Sequence, residues 1–314
     1  MPKKFIRLVV AVLALLASAP LLSQERGNSQ KIYTVGFAQD TMSNDWRAAQ
    51  VNDVKRVLEK HPNIRFISTD AKGSSARQAF DFERLANDGA DILITSPRDV
   101  RAMTPVVSEV MKRGIPVVLL SRRIMSDDFT TFIGADDREI AREAGRYLAK
   151  ELNGKGRVVM LRGVLTATTA IARTEGFIDE MKNHPGIEIV AQPVANYRRN
   201  IAIKEMEKVI SAGIKFDALY AHSDSMATGA RMAMEMAGID PKSIKIVGID
   251  YIPEARKAIR AGEQSASFTY PTAGAQGAEA VLKIIRGEKM AKEQKIPFTR
   301  VTIENVEQVE TIFK

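Results

Sequence analysis

The chain has 314 residues, of which 45% are hydrophobic and 27% charged, as in a globular protein with a sizeable core. It has no cysteine, which excludes disulfides, a thiol nucleophile, thiolate metal ligands and a lipid-modified cysteine. The formal charge is +8, but both signs are mixed along the chain and no basic tract carries interleaved aromatics, so nucleic acid is not an expected partner.

The N-terminus has the pattern of a secretory signal peptide. Basic residues within the first seven positions precede an apolar run at residues 9–16 and small residues at 17–19. The run is shorter than the roughly 20 residues that a membrane span needs. We therefore expect residues 1–24 to be cleaved and the mature protein to be exported to a periplasm.

From residue 31 onward, short β-branched runs alternate with helical patterns. The predicted strands are Ile32–Ala38, Ile64–Ser68, Asp91–Thr95, Pro116–Leu120, Arg157–Leu161, Ile187–Val190, Ala218–Ala221, Ile244–Ile249 and Ser265–Thr269. The predicted helices include Trp46–Lys60, Ala76–Asp88, Arg138–Leu152, Ile201–Ala212, Ser225–Ala237 and Gly274–Arg286. This alternation predicts an α/β fold with parallel sheets flanked by helices. About ten strands favour two sheets over one.

Local signals place several boundaries. Asn44 or Asp45 is expected to cap the first helix, and Asp224 the helix that begins near Ser225. The segment Phe132–Asp136, a short strand that leads into a new helix, is the expected first crossing between two lobes.

The residues that follow seven of the predicted strands share one chemical character. They are Trp46 and Arg47; Ser121, Arg122 and Arg123; Thr168, Thr169 and Arg173; Asn196, Tyr197, Arg198 and Arg199; His222, Ser223 and Asp224; Asp250 and Tyr251; and Thr269 and Tyr270. Ligands of open parallel sheets bind beyond the carboxyl ends of the strands. Arginines and carboxylates bind vicinal hydroxyls, and aromatic rings cover the C–H face of a sugar. Helix capping or solvation would explain each residue alone, but together they indicate a polyhydroxylated ligand.

Six segments carry a resemblance to a known family. They are VGFAQDTMSNDWRAAQ, PVVLLSRR, FIGADD, AIARTEGF, ALYAHSDSMATGA and IVGIDYIPEA. In their order and spacing the chain resembles the type I periplasmic binding proteins of sugar transporters, the ribose- and galactose-binding group. The first segment is especially similar to galactofuranose-binding members.

The resemblance implies two Rossmann-like lobes, each a parallel sheet flanked by helices, joined by a three-strand hinge. The implied lobes are residues 31–134 plus 271–300 and residues 135–270 plus 301–314, with crossings near Gly134–Asp136, Thr269–Pro271 and Arg300–Thr302. The implied ligand-binding residues are Asn44, Trp46, Arg47, Ser121, Arg122, Arg173, Tyr197, Ser223, Asp250 and Tyr270. Thr269 is the alternative to Tyr270. Many sugar receptors have an aspartate at the position of Ser121, so this chain is expected to form a more cationic pocket. A furanose, a polyol or a ligand with one carboxylate is therefore considered beside a neutral sugar.

The implied function is capture of a small sugar-like ligand, by a monomer, for delivery to an ABC transporter permease. A ligand-sensing subunit for a membrane sensor kinase or chemoreceptor is the alternative. No catalysis, cofactor or metal is expected, because the chain has neither a G-x-S-x-G elbow, a Walker loop nor a G-x-G-x-x-G fingerprint after its first strand. The adjacent His222, Ser223 and Asp224 cannot easily converge as a triad. Sugar-responsive repressors share this core, but they carry a helix-turn-helix where this chain has its signal-like segment.

Overall fold

The computed structural model of the protein describes residues 31–313, and the predicted signal peptide at residues 1–24 lies outside them. The described chain forms two six-stranded sheets. All strand pairs are parallel except the last pair of the second sheet. The predicted α/β class with two parallel sheets is therefore confirmed.

The first sheet is built mostly from the N-terminal part of the chain. Its strands are β1 (Tyr33–Gln39), β2 (Ile64–Asp70), β3 (Ile92–Thr95), β4 (Val117–Leu120), β5 (Thr131–Gly134) and β11 (Glu293–Lys295). Their spatial order is β11-β5-β4-β3-β1-β2. Strands β3 and β4 are fully buried and apolar apart from Thr95 at the end of β3, as expected of strands covered by helices on both faces.

The second sheet repeats this arrangement. Its strands are β6 (Gly156–Leu161), β7 (Ile187–Ala191), β8 (Ala218–Ala221), β9 (Lys245–Asp250), β10 (Ala266–Thr269) and β12 (Arg300–Val301). Their order is β12-β10-β9-β8-β6-β7, so the strand order reverses beside β6 as it does beside β1. Such a reversal opens a crevice at the carboxyl ends of the strands, where ligands of α/β sheets bind.

Helices cover both faces of each sheet. They are α1 (Asp45–Leu58), α2 (Ser75–Asn87), α3 (Val100–Lys112), α4 (Asp137–Glu151), α5 (Thr168–Met181), α6 (Arg199–Ser211), α7 (Asp224–Met236), α8 (Pro253–Ala261) and α9 (Gly274–Ile285), with a short 3-10 helix at Pro241–Ser243. Helices α1 and α9 share one apolar core with the first sheet, and α2 and α3 share another. Helices α4 and α5 pack on one face of the second sheet, and α6 and α7 on the other.

The chain passes between the sheets three times. Two of these passages follow β5 and β10. In the third, Arg300 already pairs with Phe268 in the second sheet, so the chain crosses at residues 296–299 rather than at Arg300–Thr302. The two-residue strand β12 is too short to carry a periodic signal.

The helix-cap prediction for Asp224 is also wrong. Ser223 is the N-cap of α7, and its Oγ accepts a hydrogen bond from the amide N–H of Met226 at 3.3 Å. Asn44 caps α1, as one of the two predicted alternatives. Within residues 31–313 the helices are all too short or too polar to cross a bilayer.

Candidate functional site

A cleft lies between the two lobes and encloses about 670 Å³ of empty space, including the part open to solvent. Nine of the ten predicted ligand-binding residues line it: Asn44, Trp46, Arg47, Arg122, Arg173, Tyr197, Ser223, Asp250 and Tyr270. Ser121 lies behind the cleft wall instead, where its Oγ is 3.1 Å from that of Ser96 and accepts from Arg47 at 3.3 Å. Sequence alone did not reveal this position because Ser121 follows its strand directly, like the true lining residues.

Asp40, directly after β1, organises the first-lobe wall. It accepts a hydrogen bond from Arg122 at 2.9 Å, and the guanidinium groups of Arg98 and Arg47 lie at 3.5 and 3.6 Å. Burial alone would raise the pKa of Asp40, but the charges of Arg122, Arg47 and Arg98 hold it below its usual value. The single carboxylate of Asp40 is therefore the counter-charge for three guanidinium groups, and the first-lobe wall has an excess of positive charge.

Arg47 is fixed at the start of α1 by neighbouring polar groups. Its Nη1 donates to Ser96 Oγ at 2.7 Å and to Gln50 Oε1 at 3.1 Å. Burial and the nearby charge of Arg122 lower the pKa of Arg47 to about 10, while Asp40 opposes that shift. Arg47 therefore remains charged at neutral pH, and its guanidinium stacks 4.7 Å from the ring centroid of Trp46.

Arg173 of α5 is the corresponding charge of the second lobe. Its Nε donates to Asp137 at 2.8 Å, and its Nη1 donates to the carbonyl oxygen of His222. Asp137 also accepts from the hydroxyl of Tyr270 at 3.0 Å. Burial raises the pKa of Asp137 and outweighs the opposing charge of Arg173. The partners of Asp137 lie on α5 and just after β10, so its role depends on tertiary contacts within the second lobe.

Asp250 ends β9 and carries the second-lobe carboxyl group of the cleft. Its pKa is raised well above the usual value, first by burial and then by the nearby Asp224 and Asp137, against the lowering effect of Arg173. Asp250 and Tyr251 both adopt positive φ, at 115° and 58°. Backbone strain of this kind at a non-glycine residue marks a position that its surroundings hold in place.

Aromatic rings form the remaining surfaces. Tyr197 also has positive φ, 60°, and its hydroxyl lies 3.1 Å from that of Thr169. Its ring packs directly over Gly163, where a Cβ atom would lie 2.0 Å from Tyr197 Cζ. The ring centroids of Trp46 and Tyr270 are 5.6 Å apart. These rings offer apolar faces beside the charged groups, as a ligand with both hydroxyl and C–H surfaces requires.

The lobes are closed on each other by hydrogen bonds across the cleft. Asn44 Nδ2 donates to the carbonyl of Tyr197 at 2.7 Å, and Trp46 Nε1 to that of Tyr270 at 2.9 Å. Three further bonds join the rims: Val100 N–H to Thr166 O, Thr166 Oγ1 to Arg98 O, and Arg123 N–H to Thr168 Oγ1, all 3.0 Å. Two buried lining atoms, Asp40 Oδ1 and Arg122 Nε, have no hydrogen-bond partner among the described residues.

The adjacent His222, Ser223 and Asp224 each have a different partner. His222 Nδ1 accepts from Gly163 N–H at 3.3 Å, and Asp224 accepts from Tyr251 N–H at 2.7 Å. Burial and the charge of Arg173 lower the pKa of His222 well below its usual value, so the ring is neutral. The three residues form no catalytic triad, in agreement with the sequence analysis.

Two closed lobes around a polar, partly aromatic cleft define a class of protein that captures a small molecule by domain closure. A sequence model of a protein family, described as the periplasmic binding protein domain, matches residues 35–289 of this chain. The chain belongs to the periplasmic binding protein family, of the type I sugar-binding branch. Members of this family are binding proteins and not enzymes.

Individual relatives agree with that assignment. The galactofuranose-binding protein YtfQ of Escherichia coli K12 is 34% identical over 242 residues, covering 74% of this chain and 76% of that protein. The fructose-binding periplasmic domain of a hybrid two-component system is 32% identical with a TM-score of 0.83, covering 88% and 92%. An ABC transporter solute-binding protein of Bacillus halodurans C-125, solved with myo-inositol, is 27% identical with a TM-score of 0.84, covering 90% and 98%.

Proposed function

We propose that this protein captures a sugar or sugar-like molecule in the periplasm and delivers it to an ABC transporter. The observation that carries the proposal is the single cleft lined by charged and aromatic side chains of both lobes, among them Arg122 of the first lobe and Arg173 and Asp250 of the second. Carboxylates and guanidinium groups that face one cleft suit vicinal hydroxyls, which both donate and accept hydrogen bonds. The proposed ligand-binding residues are Asn44, Trp46, Arg47, Ser121, Arg122, Arg173, Tyr197, Ser223, Asp250 and Tyr270, with Ser121 acting through Arg47.

Capture works by a shift of population between open and closed forms. Arg122 belongs to the first lobe, whereas Arg173 and Asp250 belong to the second, and all three line the cleft. A ligand that contacts both lobes binds the closed form more tightly than the open form, so it favours closure. A transporter can then recognise the closed shape.

The remaining parts of the proposal concern the mature protein. We propose that residues 1–24 are removed on export, that the product is a periplasmic monomer, and that the lobes have the limits predicted from sequence, with Arg300 moved to the second lobe. Relatives that are named as transporter binding proteins support delivery to a permease. Fractionation of cells and the mass of the exported chain test these points.

The function is tested by calorimetry and thermal shift on the mature protein against neutral sugars, polyols and sugar acids. We expect one class to raise the melting temperature, because a ligand present at 100 times its Kd stabilises the folded form by about 2.7 kcal/mol. For that ligand, Arg173→Ala should lower affinity roughly tenfold to hundredfold, the worth of one charge-assisted hydrogen bond.

Arg138→Ala is the matched control. Arg138 also pairs with a residue of α5, Glu175 at 3.0 Å, but it does not line the cleft. The control should leave affinity unchanged. A panel in which no compound shifts the melting temperature contradicts sugar capture, and equal affinities of the two variants contradict the role of Arg173.

A sensory role is the second candidate. It is favoured by the similarity to the fructose-binding periplasmic domain of a hybrid two-component system. Uptake of the labelled ligand by cells with and without the gene separates the two. Loss of uptake supports transport, whereas unchanged uptake with a lost transcriptional response supports sensing.

A further inference from the structure

The cleft carries more positive charge than a neutral sugar requires. Six cationic side chains line it, against two acidic ones: the cations are Arg47, Lys72, Arg98, Arg122, Arg173 and Arg198, and the acids are Asp40 and Asp250. Asp40 is shared by three of the arginines, and Arg173 is paired with Asp137 outside the lining. Even with both acids ionised, the lining carries four more cationic than acidic side chains.

The unbalanced charges lie in the outer part of the cleft. We call Lys72, Arg98 and Arg198 the outer cation cluster. Lys72 is exposed and the side chain of Arg98 is 19% exposed, whereas that of Arg122 is only 1% exposed. No carboxylate of residues 31–313 lies within salt-bridge distance of Lys72 or Arg198. Among the described residues, Arg98 lies within salt-bridge distance of one carboxylate, Asp40, which Arg47 and Arg122 also contact.

Closure brings like charges of this cluster together. Arg98 belongs to the first lobe and Arg198 to the second, and the rim bond from Thr166 Oγ1 to Arg98 O holds the first-lobe strand end against the second lobe. The pKa of Arg98 is lowered by burial, and the charges of Arg122 and Arg198 add to that effect while Asp40 opposes it. Without a counter-charge, this repulsion opposes the closed form.

The inner end of the cleft has a different requirement. Asp40 is buried beside Arg122 at 2.9 Å and Arg47 at 3.6 Å, and its carboxylate can only accept hydrogen bonds. An anionic group cannot donate, and Asp40 would repel it. A hydroxyl can donate to Asp40 and accept from Arg122. The inner end of the cleft therefore favours a hydroxyl group of the ligand, and the outer end favours an anionic group.

We propose that the ligand is a monosaccharide with one anionic group, a carboxylate or a phosphate ester, which binds between Arg98 and Arg198 while its hydroxyls bind Asp40 and Arg122. This inference rests on the proposed function of sugar capture and names the ligand class for the same cleft. The anion offsets the repulsion between Arg98 and Arg198, so it stabilises the closed form in addition to its direct interactions with these two side chains.

Calorimetry on the mature protein with matched trios tests the ligand class. Each trio contains a neutral sugar, its uronate and its phosphate: D-galactose, D-galacturonate and D-galactose 6-phosphate; D-glucose, D-glucuronate and D-glucose 6-phosphate; and D-ribose, D-riburonate and D-ribose 5-phosphate. We expect an anionic member to bind at least about tenfold more tightly than its neutral partner. The advantage should shrink when salt is raised from about 0.01 M to about 0.5 M, because the outer cluster is partly exposed. The acid and phosphate arms identify which anion is preferred.

Two neighbouring arginines provide the matched variants. Arg198→Gln should lower the affinity for the anionic ligand about tenfold and leave that for the neutral partner unchanged. Arg199→Gln should change neither, because Arg199 pairs with Glu254 at 3.1 Å and does not line this cleft. Melting curves of both variants verify that each is folded.

Two results would overturn the inference. A neutral sugar that binds as tightly as its acid and phosphate in every responsive trio removes the need for an anion, yet leaves sugar capture intact. If Arg198→Gln and Arg199→Gln bind the anionic ligand with the same affinity, the anion does not bind beside Arg198. If no neutral or anionic compound binds at all, the proposed function fails as well, so the two failures give different data.

Discussion

Asp224 lies behind the cleft and holds a strained turn in position. Its carboxylate accepts hydrogen bonds from Tyr251 N–H at 2.7 Å, Ser267 Oγ at 2.6 Å and Gln264 Nε2 at 2.7 Å. The bond to Tyr251 fixes the two residues of positive φ that present Asp250 to the cleft. Asp224 is thus a positioning residue, and its own titration is coupled to folding.

A dependence of stability on pH follows. Burial raises the pKa of Asp224 from 3.8 to about 6, although its three hydrogen bonds and Arg231 oppose the shift. A raised acid pKa means that the folded state binds more protons than the unfolded state between those values, so stability falls as pH rises from about 4 to about 6. Between pH 5 and pH 7 the loss from Asp224 is about 1 kcal/mol.

Chemical denaturation of the wild type and of Asp224→Asn at pH 5 and pH 7 checks this. The buried Asp137 and Asp250, whose pKa values are also raised, change stability in the same direction in both proteins. The variant should therefore retain a weaker pH dependence than the wild type. An identical pH dependence in the two proteins would show that Asp224 does not titrate in this range.

Nine of the ten residues that the family resemblance implied as ligand-binding line the cleft. Asp40 and Arg98 also follow strands, β1 and β3, where ligands of parallel sheets bind, but neither was singled out from the sequence. Asp137 could not be found in this way, because its partner Arg173 lies 36 residues away on another helix.

The start of α1 combines a helix cap with a contact between lobes. Asn44 Oδ1 accepts from the amide of Arg47 at 3.2 Å, while its Nδ2 donates to Tyr197 O at 2.7 Å. The first bond stabilises the helix, and the second exists only in the closed form. One side chain therefore links the helix that carries Trp46 and Arg47 to closure.

Asn44→Asp separates the two roles. Aspartate remains a good N-cap, but it cannot donate to Tyr197 O, so the closed form loses one hydrogen bond worth about 0.5–1.5 kcal/mol. We expect ligand affinity to fall roughly twofold to tenfold in calorimetry, with little change in the melting temperature of the ligand-free protein. Asp240→Asn, the reverse exchange at the N-cap of the 3-10 helix outside the cleft lining, is the control and should leave affinity unchanged.

Helices α3, α5 and α8 are not among the helices named from the sequence, because their local signals are weak. Helix α3 contains Pro105, a residue typical of a helix break, and Ala167, the N-cap of α5, makes no side-chain capping bond. Helix α8 has nine residues and also lacks a side-chain cap. Tertiary packing supplies what these segments lack, since α5 packs with α4 against the second sheet.

At the scale of the whole molecule, the two sheets repeat one topology and are joined by only three passages. Each lobe has its own cores on both faces of its sheet, so the lobes can rotate as rigid bodies about the passages. The hydrogen bonds between the lobes could not be predicted from the sequence. The bond from Trp46 to Tyr270, for example, joins residues 224 positions apart and depends on the angle of closure.

Small-angle X-ray scattering tests this motion. The radius of gyration should decrease when the ligand identified by calorimetry is added, because it favours the closed form. A sugar that does not bind should leave the scattering curve unchanged. Superimposable curves with and without the true ligand would mean that the protein binds without closing.

All five rim and cleft bonds between the lobes use a main-chain group on at least one side, and the bond from Val100 to Thr166 uses main-chain groups on both. Substitution of the side chains that contact the ligand therefore leaves most of these five hydrogen bonds between the lobes in place. The scaffold should therefore tolerate redesign toward a new analyte while its motion persists. That property suits a fluorescent biosensor, in which dyes or fused reporters on the two lobes convert closure into a signal.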